Sequence, residues 1–393
     1  MTARLGAILL ALCAAGCAKQ DLIDGVMKSA PRPGRGPSTV EGFRVLSGDT
    51  HCHVSPPDAP WHVSRDLGAV LGLARDEGLD FVVLTPHVRA RFFADPTLRE
   101  AFRAGHGELQ REIGALGASD VLFAPGFEYT DHSYGHVGLA FGDALGVLER
   151  RTAGELAARP EVFFEDYRAT GGLVTVNHPA VLPIPSPFAE TGADLSFRAY
   201  HRPTAPYPAE IDWLAKNADA IETFNLGITN LRDRLVLGDL EATARASQQI
   251  LDTRIRRQGR RITAVGGSDS HGMHLRPVTW VLARTKDLPG LREALRCGRT
   301  CVRSPEACAV RARALSESRW HVVGGSIADD RAVLDLPDED AEVFVDGAFV
   351  PGTGRVRLIA APGGRCSTIR VRIGTSSSGT FYLGCGPAFA ECD

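Results

Sequence analysis

The sequence GDTHCHVSPPD occupies residues 48–58 and follows an apolar, strand-like approach that contains Phe43 and Val45. Within it, His51 and His53 stand one residue apart. Because side chains at positions i and i+2 of a strand point to the same face, these two imidazoles can bind one ion from a single rigid segment. Taken alone, the pair is a weak indication of a metal site, since most histidines make ordinary hydrogen bonds.

The same arrangement, an apolar strand that ends in a polar side chain, recurs along the chain and alternates with amphipathic segments. Helices are predicted over about 64–78, 97–117, 152–170 and 239–257. Six or seven strand–helix repeats predict a closed α/β barrel, with a doubly wound sheet as the alternative. The reactive groups of such barrels lie at the carboxyl ends of the strands.

Nine polar side chains fall at these predicted strand ends. They are His51, His53, Asp58, His87, Glu128, His136, His178, Asp269 and His271. Each could be an ordinary residue, but together they are difficult to explain that way, because buried imidazoles and carboxylates need partners. A mixed set of imidazole and carboxylate ligands suits Zn, Mn or Fe better than Ca or copper bound by thiolates. The sequence therefore predicts a divalent-metal site.

Six motifs between about residues 48 and 300 resemble those of a known family. They are GDTHCHVS with Asp58, LTPH, PGFEYT, GHVG, VNHPA and GGSDSHG, in that order. This series is similar to that of the polymerase and histidinol phosphatase (PHP) family of metal-dependent hydrolases. The segments AIETFN and LREALRCGR resemble its carbaryl-hydrolase-like branch. The resemblance implies a distorted (βα)7-type, TIM-like barrel that holds two or three divalent ions, with Zn, Mn or Fe as candidates.

The resemblance also implies three ligand sets. The first is His51, His53, Glu128 and Asp269. The second is Glu128, His136 and His178. The third is Asp58, His87 and His271. One departure concerns the third set, because the family usually has Asp before the LTPH histidine and this chain has Pro86 there. The loss of that carboxylate removes a group that would orient His87.

Other polar residues lie near these motifs. Arg89 and Arg91 follow His87 and are predicted to bind the phosphate or acidic group of the substrate, with surface arginines on a loop as the alternative. The candidate proton donors are Asp131, His132 and His274. The predicted structural hydrogen-bonding residues are Asn177 and Asn225. The histidines predicted to have no special role are His62, His106, His201 and His321.

The family hydrolyses phosphate esters, and some members cleave carbamate or carboxylate esters. The resemblance thus implies a phosphoesterase with Glu128, Asp269 and His271 as catalytic residues and a small-molecule ester as substrate. Its nucleophile would be a hydroxide that bridges two ions, because metals lower the pKa of water from ~15.7 to about 7. One alternative is a carbamate or aryl-ester hydrolase with the same site. Another is a binding lipoprotein that keeps metal for stability without catalysis.

The N-terminus predicts export. Arg4 precedes an apolar run, residues 5–15, which is too short to span a bilayer but has the length of the core of an export signal. The sequence up to Cys17 resembles a lipobox, so residues 1–17 are predicted to be a lipoprotein signal with a lipid anchor at Cys17. A plain secretory peptide is the alternative. Residues 18–41 are predicted to be a flexible tether. The protein would therefore face the periplasm or the cell exterior.

The rest of the chain divides into two predicted domains, a hydrolase barrel over 42–303 and a small β-rich domain over 304–393. Short β-like pieces between Gly and Pro turns predict the second domain. The segment 182–208 is predicted to be a loop over the strand ends. Net charge is −3, and the short basic run at 253–261 is typical of a solvated face, which argues against nucleic-acid binding.

Six cysteines are concentrated in the last hundred residues or so. They are Cys297, Cys301, Cys308, Cys366, Cys385 and Cys392. In an exported protein they predict up to three disulfides, and fifteen pairings are possible. A zinc ribbon is the competing interpretation, which the irregular spacing disfavours.

Overall fold

The structure is a computed structural model that describes residues 24–25, 27–28, 32–34, 36–131, 135–180, 208–230, 241–386, 389 and 392. The predicted signal peptide with Cys17, the candidate donor His132 and residues 182–207 of the predicted loop lie outside the described residues.

Besides two 3-10 helices, Glu306–Ala309 and Pro362–Gly364, the described ranges contain nine α-helices. They are α1 (Leu67–Asp76), α2 (Pro96–Ala115), α3 (Ala144–Arg150), α4 (Ala153–Ala158), α5 (Glu161–Ala169), α6 (Ala209–Asn217), α7 (Leu226–Ile228), α8 (Ala242–Gln258) and α9 (Leu288–Arg296). Of these, α7 is a single turn. The segment predicted as one helix over 152–170 is two helices, because Pro160 lacks the amide hydrogen needed to continue the first one. The first predicted helix begins after Asp66 rather than Ser64, because the Asp66 side chain accepts a hydrogen bond from Ala69 N and caps the helix.

The described residues form twenty-one strands. The first eleven are β1 (Thr39–Val40), β2 (Phe43–Cys52), β3 (Phe81–Leu84), β4 (His87–Arg89), β5 (Leu122–Asp131), β6 (Gly135–Ala140), β7 (Leu173–Val176), β8 (Ala220–Asn225), β9 (Thr263–Gly267), β10 (Thr279–Ala283) and β11 (Thr300–Val302). The others are β12 (Arg311–Ala314), β13 (His321–Val322), β14 (Ser326–Ile327), β15 (Arg331–Asp335), β16 (Glu342–Val345), β17 (Ala348–Val350), β18 (Val356–Ala360), β19 (Ser367–Ile373), β20 (Ser376–Ser378) and β21 (Phe381–Leu383).

The fold is mixed α/β with one large sheet. Strands β2, β3 and β5 are parallel neighbours, and β4 also pairs with β5 in parallel. Strands β5, β6 and β7 pair antiparallel, whereas β7, β8 and β9 are parallel. Among the described residues, one isolated bridge between Cys52 and Ser270 joins β2 to the segment after β9. A closed barrel requires several consecutive hydrogen-bonded pairs between its first and last strands, and one bridge does not provide them. The closed barrel therefore stays a prediction.

The largest buried apolar cluster packs helices against one face of this sheet. Phe102 of α2, Val147 of α3 and Phe163 of α5 meet Phe127 of β5 and Val176 of β7. Each fully buried side chain of this size stabilises the fold by roughly 1.5–3 kcal/mol. Because side chains alternate along a strand, a core position for Phe127 directs its neighbour on β5 to the opposite face. That neighbour is the predicted metal ligand of β5.

The C-terminal strands are divided between two sheets. Strands β13, β12, β15 and β18 form a four-stranded antiparallel sheet in that order. The other C-terminal strands belong to the large sheet, which they join where β11 pairs with β20. The C-terminal region is therefore rich in β-structure, as predicted, and part of it extends the sheet that carries the candidate site.

The six C-terminal cysteines form three disulfides, as the sequence predicts. The pairs are Cys297–Cys392, Cys301–Cys308 and Cys366–Cys385. This cysteine usage is typical of an oxidising, exported environment. Cys52 is a buried free thiol, and burial raises its pKa to about 12. Within the described ranges, every helix is too short or too polar to cross a bilayer.

Part of the predicted tether lies against the folded domain. Met27 is 1% exposed and belongs to the largest apolar cluster. Asp24 accepts hydrogen bonds from Met273 N and from His274 Nδ1, at 2.8 and 2.6 Å. The predicted proton donor His274 is thus engaged with the N-terminal segment.

Candidate metal centre

Seven of the nine predicted ligands come together in three overlapping groups. The groups are His51, Glu128 and His178; His51, His53 and Asp269; and His53, His87 and His271. Within each group the potential ligand atoms lie within 4.8 Å of one another. Most of these side chains lie at or just after the carboxyl ends of β2, β7 and β9, whereas His87 begins β4 and Glu128 lies within β5. The shared edge of the sheet thus brings together residues distant in sequence.

Glu128 lies at the centre of the groups and is completely buried. Its Oε1 is 3.2 Å from His51 Nε2, 3.2 Å from His136 Nδ1 and 3.6 Å from His178 Nε2. Burial raises the pKa of this carboxyl, but the charges of His136 and His51 outweigh burial and hold the pKa well below its usual range. Glu128 is therefore an anion. His136, the eighth predicted residue, reaches the centre through this contact.

The second oxygen of Glu128 has an unusual environment. Glu128 Oε2 is 3.4 Å from His87 Nε2 and 3.8 Å from His53 Nε2, yet it makes no hydrogen bond with any described residue. A buried carboxylate oxygen without a hydrogen-bond partner is costly. A divalent cation between this oxygen and the two imidazoles would remove that cost, because both kinds of group are metal ligands.

Asp269 adds a second carboxylate on the other side of the histidine pair. Its Oδ1 is 3.3 Å from His53 Nε2 and 3.5 Å from His51 Nε2. Asp269 has a φ of +52° and His178 a φ of +29°, both in the left-handed region that non-glycine residues rarely adopt. Backbone strain of this kind persists where surrounding structure fixes it, and it is common at functional sites.

Asp58 lies behind the cluster rather than within it. Its Oδ2 is 3.1 Å from His53 Nδ1, and its Oδ1 is 3.0 Å from both His87 Nδ1 and His87 N. Burial raises the pKa of Asp58, but the hydrogen bonds of the two histidines outweigh burial and lower it. A carboxylate at Nδ1 favours the tautomer whose Nε2 carries the lone pair. Asp58, predicted to be a ligand, is thus placed to orient two ligands.

Glu222 contacts Nδ1 of His51, as Asp58 contacts Nδ1 of His53 and His87. It is buried on β8, and its Oε1 is 3.2 Å from His51 Nδ1. Its Oε2 accepts hydrogen bonds from His178 N at 2.7 Å and from Asn225 Nδ2 at 3.1 Å. The sequence interpretation gave Glu222 no role. The available signal was a carboxylate within the otherwise apolar strand AIETFN.

The two asparagines are structural, as predicted. Asn177 Nδ2 donates to Glu128 Oε1 at 2.8 Å. Asn225 Nδ2 also lies 3.3 Å from Asp269 Oδ2. Each amide therefore positions one of the two central carboxylates.

Arg65 fastens the two loops that carry the ligands. Its guanidinium donates to the carbonyls of His53, Ser270, Gly272 and His274 at 2.6–3.1 Å. The side chain is 2% exposed. It therefore ties the end of β2 to the loop that follows β9. The sequence analysis missed this residue, because a single Arg before a helix has no distinguishing pattern.

The two predicted substrate arginines differ in their surroundings. Arg91 Nε donates to Glu210 Oε1 at 2.9 Å, and Glu210 is a buried residue of α6. The charge of Arg91 is thus engaged with that helix. Arg89 is exposed and lines a cavity beside His87.

His62 lies at the centre, although the sequence interpretation gave it no role. Its ring centroid is 5.0 Å from that of His87 and 4.8 Å from that of His271. The neighbouring Trp61 is 82% exposed. Asp131 is the last residue of β5. His106 and His321 lie away from this cluster.

Two of the potential ligands, His51 and His53, have a raised affinity for protons. Burial lowers the pKa of His53, but hydrogen bonds with Asp269 and Asp58 outweigh burial and raise it to about 9. The pKa of His51 is raised as well, since the charges of Asp269, Glu128 and Glu222 outweigh its burial. Metal ions and protons compete for such imidazoles, so metal affinity should fall with decreasing pH. The donor set fits divalent ions that accept both nitrogen and oxygen ligands.

Three solved structures resemble this chain. A two-domain protein from Bacteroides vulgatus containing a predicted PHP-like metal-dependent phosphoesterase is 15% identical, with a TM-score of 0.44 over 90% of this chain and 99% of its own. PsfC from Pseudomonas syringae is 18% identical, with a TM-score of 0.37 over 63% and 83%. An amidohydrolase from Chromobacterium violaceum, solved with sulfate and no metal, is 14% identical, with a TM-score of 0.31 over 57% and 88%.

The sequence matches no protein-family model and no curated protein. Because the TM-scores of the three structures are below 0.5, these likenesses assign neither a family nor an activity to the chain. The evidence for the fold, and for the groups that could hold a metal ion, is the geometry of the chain itself.

Proposed function

We propose that the protein is a metal-dependent hydrolase that cleaves small phosphate esters. The observation that carries this proposal is the position of Glu128, a fully buried anion with ring nitrogens of five histidines no more than 3.8 Å away. A buried carboxylate among imidazoles, with one oxygen lacking a hydrogen bond, is the arrangement that cations would complete. The order of the sequence motifs supports the same proposal, including a place in the PHP family near its carbaryl-hydrolase-like branch.

The proposed ligand sets combine the sequence motifs with the geometric groups. One ion would be held by His51, His53, Glu128 and Asp269. Another would be held by Glu128, His136 and His178. A third would be held by His53, His87 and His271, a group whose ligand atoms lie within 4.8 Å of one another. In this assignment Asp58 is a positioning residue, because its oxygens face Nδ1 of two of the histidines.

When bound, divalent ions lower the pKa of water and neutralise charge on an ester oxygen. The chain's own residues prepare the site for that chemistry. Asp58 and Glu222 fix the ring orientation of three histidines. Asn177 and Asn225 hold Glu128 and Asp269. The proposed catalytic residues are Glu128, Asp269 and His271. Arg89 is the proposed substrate-binding arginine, since Arg91 is paired with Glu210.

We further propose that the hydrolase unit is a distorted barrel over residues 42–303, followed by the β-rich region 304–393. The single bridge between Cys52 and Ser270 supports approach of the ends of β2 and β9. Export through the signal 1–17, with a lipid anchor at Cys17, is also part of the proposal. Three disulfides support the oxidising compartment that export would reach.

The proposal is tested by metal content together with ester hydrolysis. Protein stripped of metal and then reloaded with Zn²⁺ or Mn²⁺ should bind at least two ions per chain by mass spectrometry. It should hydrolyse 4-nitrophenyl phosphate faster than 4-nitrophenyl acetate. The reverse preference would favour a carbamate or aryl-ester hydrolase. Two or more ions with neither ester cleaved would favour a binding lipoprotein.

Glu128→Gln is the matching variant, because it keeps the size of the side chain and removes its charge. We expect it to lose at least one ion per chain and activity by roughly a thousandfold or more, in line with loss of transition-state electrostatics. Glu100→Gln is the control, since Glu100 is exposed on α2. Fewer than one ion per chain in the wild-type protein, or full activity of Glu128→Gln, would contradict the proposal.

A further inference from the structure

A second cavity is lined by helix α8 and by strands β11, β16, β19 and β20 of the large sheet. Its volume is about 270 Å³. Of the described residues that line it, none is a predicted metal ligand. The cavity lies where the predicted hydrolase unit meets the C-terminal strands, and Phe224 of β8 forms part of its wall.

The register of the sheet places five side chains of this wall on one face. Ser377 of β20 is the partner of Val302 on one side and of Arg372 on the other. Arg370 is two residues from Arg372 and is the partner of Phe344. Directly paired residues share a face of the sheet, and so do residues two apart on a strand. All five side chains line the cavity, with α8 on its other side.

Three arginines bring their guanidinium groups, and not only their apolar stems, to this wall. The Cζ atom of Arg303 lies 4.3 Å from the ring centroid of Phe224. The Cζ atoms of Arg370 and Arg372 lie 4.4 and 5.6 Å from the ring centroid of Phe344. Both rings line the cavity. The charged ends of the three side chains are therefore at its edge.

The backbone of Arg303 supports a role for its side chain. Its φ is +77°, in the left-handed region that residues other than glycine rarely adopt. Its Nη1 is 2.8 and 2.6 Å from the two carboxylate oxygens of Glu241. Backbone strain of this kind persists where surrounding structure fixes it, and it is common at functional sites.

Nearby carboxylates occupy only part of the donor capacity of these arginines. A guanidinium group has five N–H donors. Arg303 donates to Glu241 through Nη1, and Arg372 donates to Glu342 through Nε. The Nη2 of Arg303 and both Nη atoms of Arg372 make no hydrogen bond with a described residue and are accessible rather than buried. The two side chains are 17% and 35% exposed.

The charges around the cavity favour an anion. Four arginines and two carboxylates line it, namely Arg245, Arg303, Arg370, Arg372, Glu241 and Asp252. Asp252 Oδ2 is 3.1 Å from Arg370 Nη2. Glu342, the partner of Arg372, does not line the cavity, and the balance stays positive when it is included.

We propose that this cavity binds the phosphate group of a small phosphorylated molecule, with Arg303 and Arg372 as its principal donors. The planar fork of a guanidinium matches the oxygens of a phosphate. Since a cavity of roughly 150 Å³ holds one benzene ring, about 270 Å³ leaves room for a phosphate and a small group attached to it. The site is additional to the metal centre and does not depend on hydrolysis.

The test is isothermal titration calorimetry of the whole protein, stripped of metal so that phosphate cannot bind to ions at the centre. Glycerol 3-phosphate should bind saturably, with a Kd of about 1 mM or lower at constant ionic strength. Succinate, which carries the same charge without a phosphate, should bind more weakly. Tighter binding of succinate would overturn phosphate as the recognised group.

Arg372→Gln should weaken the binding of glycerol 3-phosphate at least tenfold, because it removes a charge and its paired donors. Arg331→Gln is the control, since Arg331 is a 58% exposed arginine of the separate four-stranded sheet. It should leave the binding unchanged. Arg303→Gln should act like Arg372→Gln, which tests the second donor at a different strand.

Thermal unfolding gives an independent readout. A ligand that binds only the folded chain stabilises it, so glycerol 3-phosphate should raise the unfolding temperature of the wild type and of Arg331→Gln but not of Arg372→Gln. Absence of saturable binding by the wild type, or binding that Arg372→Gln leaves unchanged, would overturn the site. Failure of ester hydrolysis by metal-loaded protein would contradict the proposed function alone, because these titrations use metal-stripped protein.

Discussion

At the scale of single residues, the site depends on carboxylates that lie behind the potential ligands. Glu222 contacts His51 Nδ1 and the backbone amide of His178, and it is 1% exposed. Partners of this kind fix the tautomer and the direction of a metal-binding imidazole. The centre therefore includes carboxylates that orient the potential ligands as well as the side chains that could bind an ion.

Glu222→Gln should lower metal affinity by roughly 10- to 100-fold, the usual effect of losing an orienting carboxylate. Competition with a chromogenic chelator measures this change. Glu210→Gln is the control, because Glu210 is equally buried but pairs with Arg91. Equal metal affinity in the two variants would show that Glu222 has no orienting role.

His106 makes a pH-dependent contribution to stability. Burial lowers its folded-state pKa from 6.5 to about 4. Between these two pH values His106 is protonated in the unfolded chain but neutral in the folded protein. The free energy of unfolding should therefore fall as pH falls from about 6.5 to 4, by at most about 3 kcal/mol from this group. His106→Leu should remove this part of the slope. Parallel pH profiles of denaturant unfolding for the two proteins would contradict the shift.

At the scale of elements, the centre depends on the position of the loop after β9 relative to the end of β2. Arg65 provides this link through hydrogen bonds to four backbone carbonyls. Lysine cannot reproduce the planar fork of donors. With lysine at position 65, the end of β2 and the loop after β9 would lose most of the hydrogen bonds that join them.

Arg65→Lys should lower the free energy of unfolding by roughly 1–3 kcal/mol, the cost of leaving a buried hydrogen-bonding group unsatisfied. Arg75→Lys is the control, because Arg75 and its partner Asp120 have side chains 52% and 63% exposed. Exposed pairs contribute less than about 1 kcal/mol. Chemical denaturation compares the two variants, and equal losses of stability would count against the role of Arg65.

The elements also explain what could be predicted from the sequence. Polar residues at strand ends were expected to meet, and His51, Glu128 and His178 do so, although Glu128 lies within β5 rather than at its end. The orienting position of Asp58 could not be derived from spacing, since it depends on how a loop turns back towards two histidines. Arg65 was missed for a similar reason, because its four acceptors lie on two segments distant in sequence.

At the scale of the whole molecule, the disulfides join the C-terminal region to the rest of the fold. Cys297 directly follows α9 and pairs with Cys392, 95 residues later. The cysteine count predicted up to three disulfides but not their pairing, which depends on long-range contacts such as the pairing of β19 with β21 beside Cys366 and Cys385. The C-terminal strands of the large sheet likewise could not be assigned from alternation of side chains, because alternation does not identify the partner strand.

Loss of the long-range disulfide should cost more than loss of a local one. By the chain-entropy relation, Cys297→Ser with Cys392→Ser should lower the free energy of unfolding by at most about 5 kcal/mol. The same change at Cys301 and Cys308, only 7 residues apart, should cost about 2 kcal/mol. Thermal unfolding of the two double variants measures the difference. A larger loss for the local pair would contradict the relation here.

The most direct measurement is X-ray diffraction from crystals grown with Zn²⁺, recorded on both sides of the zinc absorption edge. We predict at least two anomalous peaks next to Glu128, with one about 2.0–2.1 Å from His51 Nε2 and another at the same distance from His178 Nε2. Saturated crystals with no peak beside Glu128, or with zinc bound only elsewhere, would contradict a metal centre at this site.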